Sequence, residues 1–262
     1  MRLRQCLDAL HRRRRVRHGG RDRQLDTEAP RARSDRAARA LHLQVRRHRR
    51  RPRARLSVLR RGLLGGTFNP PHLGHLAIAR SARDGLVLDR VDLVPVGTPP
   101  HKPLEGDPGA QVRLELCRLA TERDRALGVL DLEVLRPGPS YTVDTLRALH
   151  EQHPEDEWTF IVGADVAAGL HDWHEPEEVL RLARLAVADR DGVAAETLRE
   201  RLADLHDGTR ICFFGMPPVD VSSSLVRRRA AAGETLDGFV PGPVAARIAE
   251  FDLYRGGTHE HD

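Results

Sequence analysis

The sequence is poor in aromatic residues, with six Phe, two Tyr and two Trp among 262 positions. Lysine is scarcer still: Lys102 stands alone, and arginine supplies the rest of the positive charge. No run approaches the ~18 or more apolar residues of a membrane-spanning helix, which argues against a helical membrane protein. The N-terminus is basic but lacks the apolar stretch and small-residue cleavage site of a secretory signal. Three cysteines, Cys6, Cys117 and Cys212, are too scattered for a disulfide framework, and no CxxC spacing offers a zinc site. These absences together fit a reducing, cytoplasmic setting. Neither GxxxxGK[ST] nor GxGxxG occurs, so a P-loop and a dinucleotide fingerprint are both excluded.

The formal net charge of +5 averages two unlike pieces. Residues 1–61 carry 22 arginines against five acids, a balance of +17, whereas the remainder carries −12. The basic stretch has few large apolar residues, no sustained periodicity and no aromatic residue. Its composition cannot offset the entropy of ordering, so 1–57 reads as a disordered Arg-rich extension. Without aromatics it lacks the stacking platforms of single-strand nucleic-acid binders, and an acidic folded part argues against nucleic acid there too. Residues 58–255 then form one domain, and 256–262 a second disordered tail.

Within 58–255, short apolar runs alternate with longer stretches of helical spacing. Strands are expected at 59–65, 90–96, 127–134, 157–162, 184–192 and 210–215. Helices are expected at 72–84, 110–124 (through Val112, Leu116 and Leu119), after Ser140 as N-cap, near Glu177, at 193–206, at 223–232 and at 242–252. Such alternation predicts an α/β fold, a Rossmann-like parallel sheet with helices on both faces. Ligands bind such sheets at the carboxyl ends of the strands, where the strand order reverses. The chemically unusual stretches fall there.

The first is GGTFNPPHLGH, from Gly65 to His75. Gly65 and Gly66 end a strand without Cβ atoms, so phosphates can approach bare amides. The helix that follows turns its positive end toward the same place. His72 and His75 lie three apart, on one face of the first turn, and Gly74 leaves room for a flat group between them. A zinc pair lacks HxxxH spacing and a third ligand, and two surface histidines by chance would not explain GGTFNPP. The second stretch is DVSSSLVRRR, 220–229. There Ser222, Ser223 and Ser224 supply a cap and hydroxyl donors, and Arg227 stands one helical turn in, able to grip phosphates. HDWH (171–174) and HEHD (259–262) cluster histidine with acid, but neither has a separate partner, so no direct protein–metal site is expected.

GGTFNPPHLGH resembles the [HT]xGH signature of the nucleotidyltransferase superfamily. VSSSLVR is similar to that superfamily's Ile-Ser-Ser-Thr-x-Ile-Arg element, with mild substitutions. PVGTPPHKP, SYTVDTL and FIVGADVAAGLHDWHEPEEVL further resemble the bacterial nicotinate mononucleotide adenylyltransferase family. The resemblance implies transfer of the adenylyl group of ATP to nicotinate mononucleotide, with Mg²⁺ carried on the ATP phosphates. It implies catalytic roles for His75, His72 and Arg227. ATP would be bound by Gly65, Gly66, Thr67, Phe68, His72, His75, Gly163, Asp165, Ser222, Ser223, Ser224 and Arg227. The mononucleotide would be bound by Asn69, Lys102, Thr142, Trp173 and Arg190, the last in an Arg-Asp-Gly where the family shows Arg-Pro-Gly. Alternatives are another nucleotidyltransferase, such as a phosphopantetheine adenylyltransferase, and an RNA-binding or tRNA-charging protein. The latter lacks Lys-Met-Ser-Lys-Ser.

Overall fold

The computed structural model describes residues 58–100, 104–189, 194–205 and 209–255. The chain divides after Ser57, and the Arg-rich extension and the last seven residues, like Lys102 and Arg190, lie outside the described residues. Six strands form one sheet: β1 (Arg60–Gly66), β2 (Arg90–Pro95), β3 (Leu127–Val129), β4 (Glu157–Gly163), β5 (Arg184–Asp189) and β6 (Ile211–Gly215). All neighbours run parallel, in the order β3-β2-β1-β4-β5-β6. This is the doubly wound Rossmann order, and its reversal between β1 and β4 opens a crevice above their carboxyl ends.

The helices are α1 (Leu73–Leu86), α2 (Ala110–Thr121), α3 (Leu132–Leu135), α4 (Thr142–Gln152) and α5 (Ala164–Ala167), then α6 (Pro176–Leu182), α7 (Ala194–Arg201), α8 (Ser223–Ala231) and α9 (Gly242–Glu250). They cover both faces, which is why the central strands are apolar throughout rather than alternating. On one face Leu63, Val94, Phe160, Val162, Leu185 and Val187 pack with residues of α4 to α7. The other face pairs Leu64 with Leu93 and Ile161 in register, and α1 lies against β1, β2, β5 and β6. The helix buries Leu76, Ala79, Ala82 and Leu86. Each leucine so buried stabilises the fold by about 1.5–3 kcal/mol. No described helix is long and apolar enough to cross a membrane.

Four local expectations need correction. The stretch 127–134 is a strand for three residues only; Asp131 then caps the short helix α3, whose Glu133 turns inward. Ser140 is not the cap of α4: Tyr141 is, and the Ser140 hydroxyl instead accepts the Gly97 N–H at 3.0 Å. His72 is the N-cap of α1, in extended conformation, rather than part of its first turn. Finally, α2 forms where expected and buries Leu116 of the stripe, but it also buries Arg113, Leu114, Cys117 and Ala120, while Val112 and Leu119 are only half-buried.

Candidate active site

The turn between β1 and α1 is built on ring packing. A Cβ on Gly65 would stand 2.7 Å from the Phe160 ring, and one on Gly66 would stand 3.1 Å from that of Phe68. Gly65 is therefore fitted to the Phe160 ring, and Gly66 packs tightly on that of Phe68, before any ligand arrives. Gly74 likewise makes room for the His72 ring and the Val221 carbonyl, not for a passing flat group. Phe68 is fully buried with φ of 49°, a left-handed conformation that costs a non-glycine residue about 1–2 kcal/mol. Such strain persists only where the surroundings over-determine it.

Phe68 meets His75 edge-on with centroids 4.8 Å apart, and His75 stacks on His72 at 3.7 Å. The His72 backbone N–H donates to Nδ1 of His75 at 3.2 Å. An Nδ1 that accepts carries no proton, so the neutral ring holds its hydrogen on Nε2, as a donor. Burial holds the His75 pKa well below its ordinary 6.5, and the charge of a protonated His72 would lower it further. The site thus keeps a neutral imidazole at physiological pH. One amide of the α1 N-terminus is already spoken for, since Leu73 N–H donates to Phe239 O at 2.9 Å.

This burial has a pH signature. Above pH 6.5 the ring is neutral whether folded or unfolded and adds no pH dependence. Below 6.5 the unfolded ring takes up a proton that the folded one refuses, so stability declines until the depressed folded pKa is reached. His75→Gln is expected to flatten this acid limb in a series of melts. An acid limb as steep as that of the wild type would assign the lost stability to other groups.

The N-terminus of α8 closes on the same turn. Ser222 caps the helix by accepting Leu225 N–H at 3.2 Å. Ser223 Oγ donates to Pro70 O at 3.0 Å, and Arg227 Nη1 donates to Asn69 O at 2.9 Å. Arg227 Nη2 also reaches Ser224 Oγ at 3.3 Å. Asn69 is buried and directs its Nδ2 to Glu105 O at 3.1 Å. The structure therefore brings together the β1 turn, the α8 cap and the loop through Gly106, as the two sequence motifs implied.

The other half of the crevice stands on β4, the strand beside β1. Asp165 is exposed in the first turn of α5, and its Oδ1 folds back to within 2.6 Å of where a Gly163 Cβ would stand. Trp173 is half-buried and meets Phe160 edge-on at 5.7 Å, so Phe160 links this ring to Gly65. Its neighbour His174 packs on Tyr141 at 4.5 Å, next to Thr142, the first residue of α4. Arg147 ties Glu175 to α4 with bonds of 3.1 and 2.6 Å. In the HDWH stretch His171 engages Asp204 at 3.0 Å, while His174 lies 3.4 Å from Glu175.

Three polar residues beside the crevice escaped the sequence reading. Arg113 is wholly buried and bonds to carbonyls of two loops. Glu133 is buried with Thr145 Oγ donating at 2.8 Å, and burial pushes its carboxyl above the usual range. Burial likewise pushes the Tyr254 phenol up, reinforced by the charge of Asp107 and opposed by Arg227 and Arg113. The available signal was a charged residue inside the apolar repeat of α2.

Residues 63–229 match the family model described as cytidylyltransferase-like. A "probable nicotinate-nucleotide adenylyltransferase" of Geobacter metallireducens is 38% identical over 219 residues, covering 77% of this chain and 100% of that protein. A protein of the same description from Symbiobacterium thermophilum is 41% identical over 205 residues, covering 77% of this chain and 99% of its own. In fold, the chain is similar to Plasmodium falciparum nicotinic acid mononucleotide adenylyltransferase, solved in complex with NaAD. That likeness has a TM-score of 0.61 at 17% identity, over 75% of this chain and 97% of the other. The chain belongs to the cytidylyltransferase-like family and, within it, to the nicotinate-nucleotide adenylyltransferases.

Proposed function

We propose that the crevice transfers the adenylyl group of ATP to nicotinate mononucleotide, giving nicotinate adenine dinucleotide and pyrophosphate. The carrying observation is the meeting of a neutral, donor-bearing His75 with the Arg227 and serine cap over one turn. In this reading the mononucleotide phosphate attacks the α-phosphorus of ATP directly, so the protein contributes position and charge stabilisation rather than covalent chemistry. His75 Nε2–H and the adjacent His72 meet the α- and β-phosphates, and backbone amides from Gly66 to Phe68 line the approach. Arg227 and Ser222–Ser224 hold the leaving pyrophosphate. Asp165 accepts from the ribose hydroxyls of the adenylyl half beside Gly163.

At the other end Trp173 packs on the pyridine ring, with Thr142 at the nicotinate carboxylate. The first turn of α4 suits that anion, because no side chain caps its amides. Asn69 lines the acceptor side, and Lys102 and Arg190 serve the mononucleotide phosphate and ring from segments outside the described residues. Imidazole, hydroxyl and guanidinium donors bind anions, which fits Mg²⁺ held by the nucleotide's own phosphate oxygens. Bound there, the ion neutralises charge on the triphosphate. We assign the reaction to the cytoplasm, as a step in NAD biosynthesis.

The test is formation of dinucleotide and pyrophosphate from ATP with a panel of acceptor mononucleotides. Nicotinate mononucleotide is expected to exceed the nicotinamide form by about tenfold or more in kcat/KM. A donor set built for a carboxylate loses a charged hydrogen bond of about 1.5–3 kcal/mol when an amide replaces it. Equal values for the two acceptors would make this a dual-specificity enzyme, and no turnover with either would overturn the reading.

Every assigned residue lies at or beyond Gly65. Removal of residues 1–57 is therefore expected to leave kcat/KM within a few-fold of the full chain. A folded truncate with little activity would place the extension in the site.

A further inference from the structure

We propose that Arg113 is a positioning residue: it fixes the Thr67–Phe68 peptide plane and so aims the Phe68 N–H at the transferring phosphate. The proposal rests on the assignment of this turn to the ATP phosphates. Arg113 lies on α2 with none of its side chain exposed. Its Nη1 donates to Thr67 O at 2.9 Å and to Val96 O at 2.7 Å, and Nη2 donates to Gly97 O at 3.2 Å. Nε donates to Asp107 Oδ1 at 2.8 Å, which supplies the counter-charge that a buried guanidinium needs. One side chain thus spans the turn after β1 and the loop after β2.

The consequence follows from peptide geometry. In a planar trans peptide the carbonyl of residue 67 and the N–H of residue 68 point in opposite directions. Drawing Thr67 O inward onto Arg113 turns Phe68 N–H away from the core. The same bond helps hold Phe68 in its left-handed conformation, with its ring packed on His75. Arg113 therefore governs both an amide of the cradle and the ring that seats the catalytic imidazole. A lysine would keep the charge but not the planar fork that reaches three carbonyls at once.

The experiment compares Arg113→Ala and Arg113→Lys with the wild-type full chain, using ATP and nicotinate mononucleotide below each protein's melting temperature. Folded Arg113→Ala is expected to lose about 10²-fold in kcat, the cost of misplacing groups at a reacting centre. Both KM values should stay within a few-fold. Millimolar guanidinium chloride should restore kcat at least tenfold, while equal methylammonium chloride should not. Arg113→Lys, which keeps volume and charge, carries the test if the alanine variant does not fold; it should show the same kcat loss with a melting temperature near that of the wild type. A kcat equal to wild type in either folded variant would overturn the proposal, as would a loss in Arg113→Ala that guanidinium does not lift. No turnover by the wild type would instead count against the proposed reaction, and a normal kcat in His75→Ala against the assignment of the turn, so both failures are distinguishable from that of Arg113.

Discussion

His75→Ala lowers kcat by about 10²–10³ and leaves both KM values within a few-fold, the expected cost of removing one preorganised donor. The expectation comes from geometry. Nδ1 of His75 is occupied by the His72 N–H, and Phe68 and His72 fix the plane of the ring. Its free nitrogen is thus a fixed donor that needs no reorganisation when charge grows on the α-phosphoryl group. An interaction stronger in the transition state than in the ground state acts on kcat. Trp173→Ala supplies the contrast, since loss of ring packing should raise the KM for the mononucleotide and spare that for ATP. A His75→Ala enzyme with normal kcat and a raised KM for ATP would make the ring a ground-state contact.

Arg227→Ala is expected to cost about 10²-fold or more in kcat, for two reasons that reinforce each other. The guanidinium is the charge assigned to the leaving pyrophosphate, and it also donates to Asn69 O. Truncation therefore removes a phosphate clamp and releases the turn that carries the histidines. The reverse reaction separates these effects, because the KM for pyrophosphate should rise steeply. Arg227→Lys should recover part of that KM through its charge, and little of the kcat, for want of the fork. An unchanged KM for pyrophosphate in Arg227→Ala would remove the residue from the leaving-group site.

The strands and the two motifs at the crevice were legible because their signals are local. Apolar runs bounded by glycine and proline mark β1, β2 and β4, and GGTFNPPHLGH and VSSSLVR each keep their residues within a turn or two. Contacts across the sheet left no such mark. Gly65 reads as clearance for a ligand, yet its missing Cβ first accommodates Phe160, a residue 95 positions away. Ser140 reads as a helix cap, yet its hydroxyl serves the Gly97 N–H in the loop after β2. Arg113 left no mark because its partners are largely carbonyl oxygens, which every residue has and no pattern reveals. Glu133 hid for a similar reason, since the short helix that buries it looks like the end of a strand.

A site that works by position and charge makes a single direct displacement at the α-phosphorus, with no covalent intermediate on the protein. The stereochemical course of the reaction tests this, with ATP made chiral at the α-phosphorus by sulfur and oxygen-isotope substitution. Transfer to nicotinate mononucleotide is expected to invert the configuration, because one in-line attack exchanges entering and leaving groups on opposite faces. Net retention would require two displacements, and with them an adenylyl group carried on a protein side chain. That result would contradict the roles of His75, Arg227 and the turn they share.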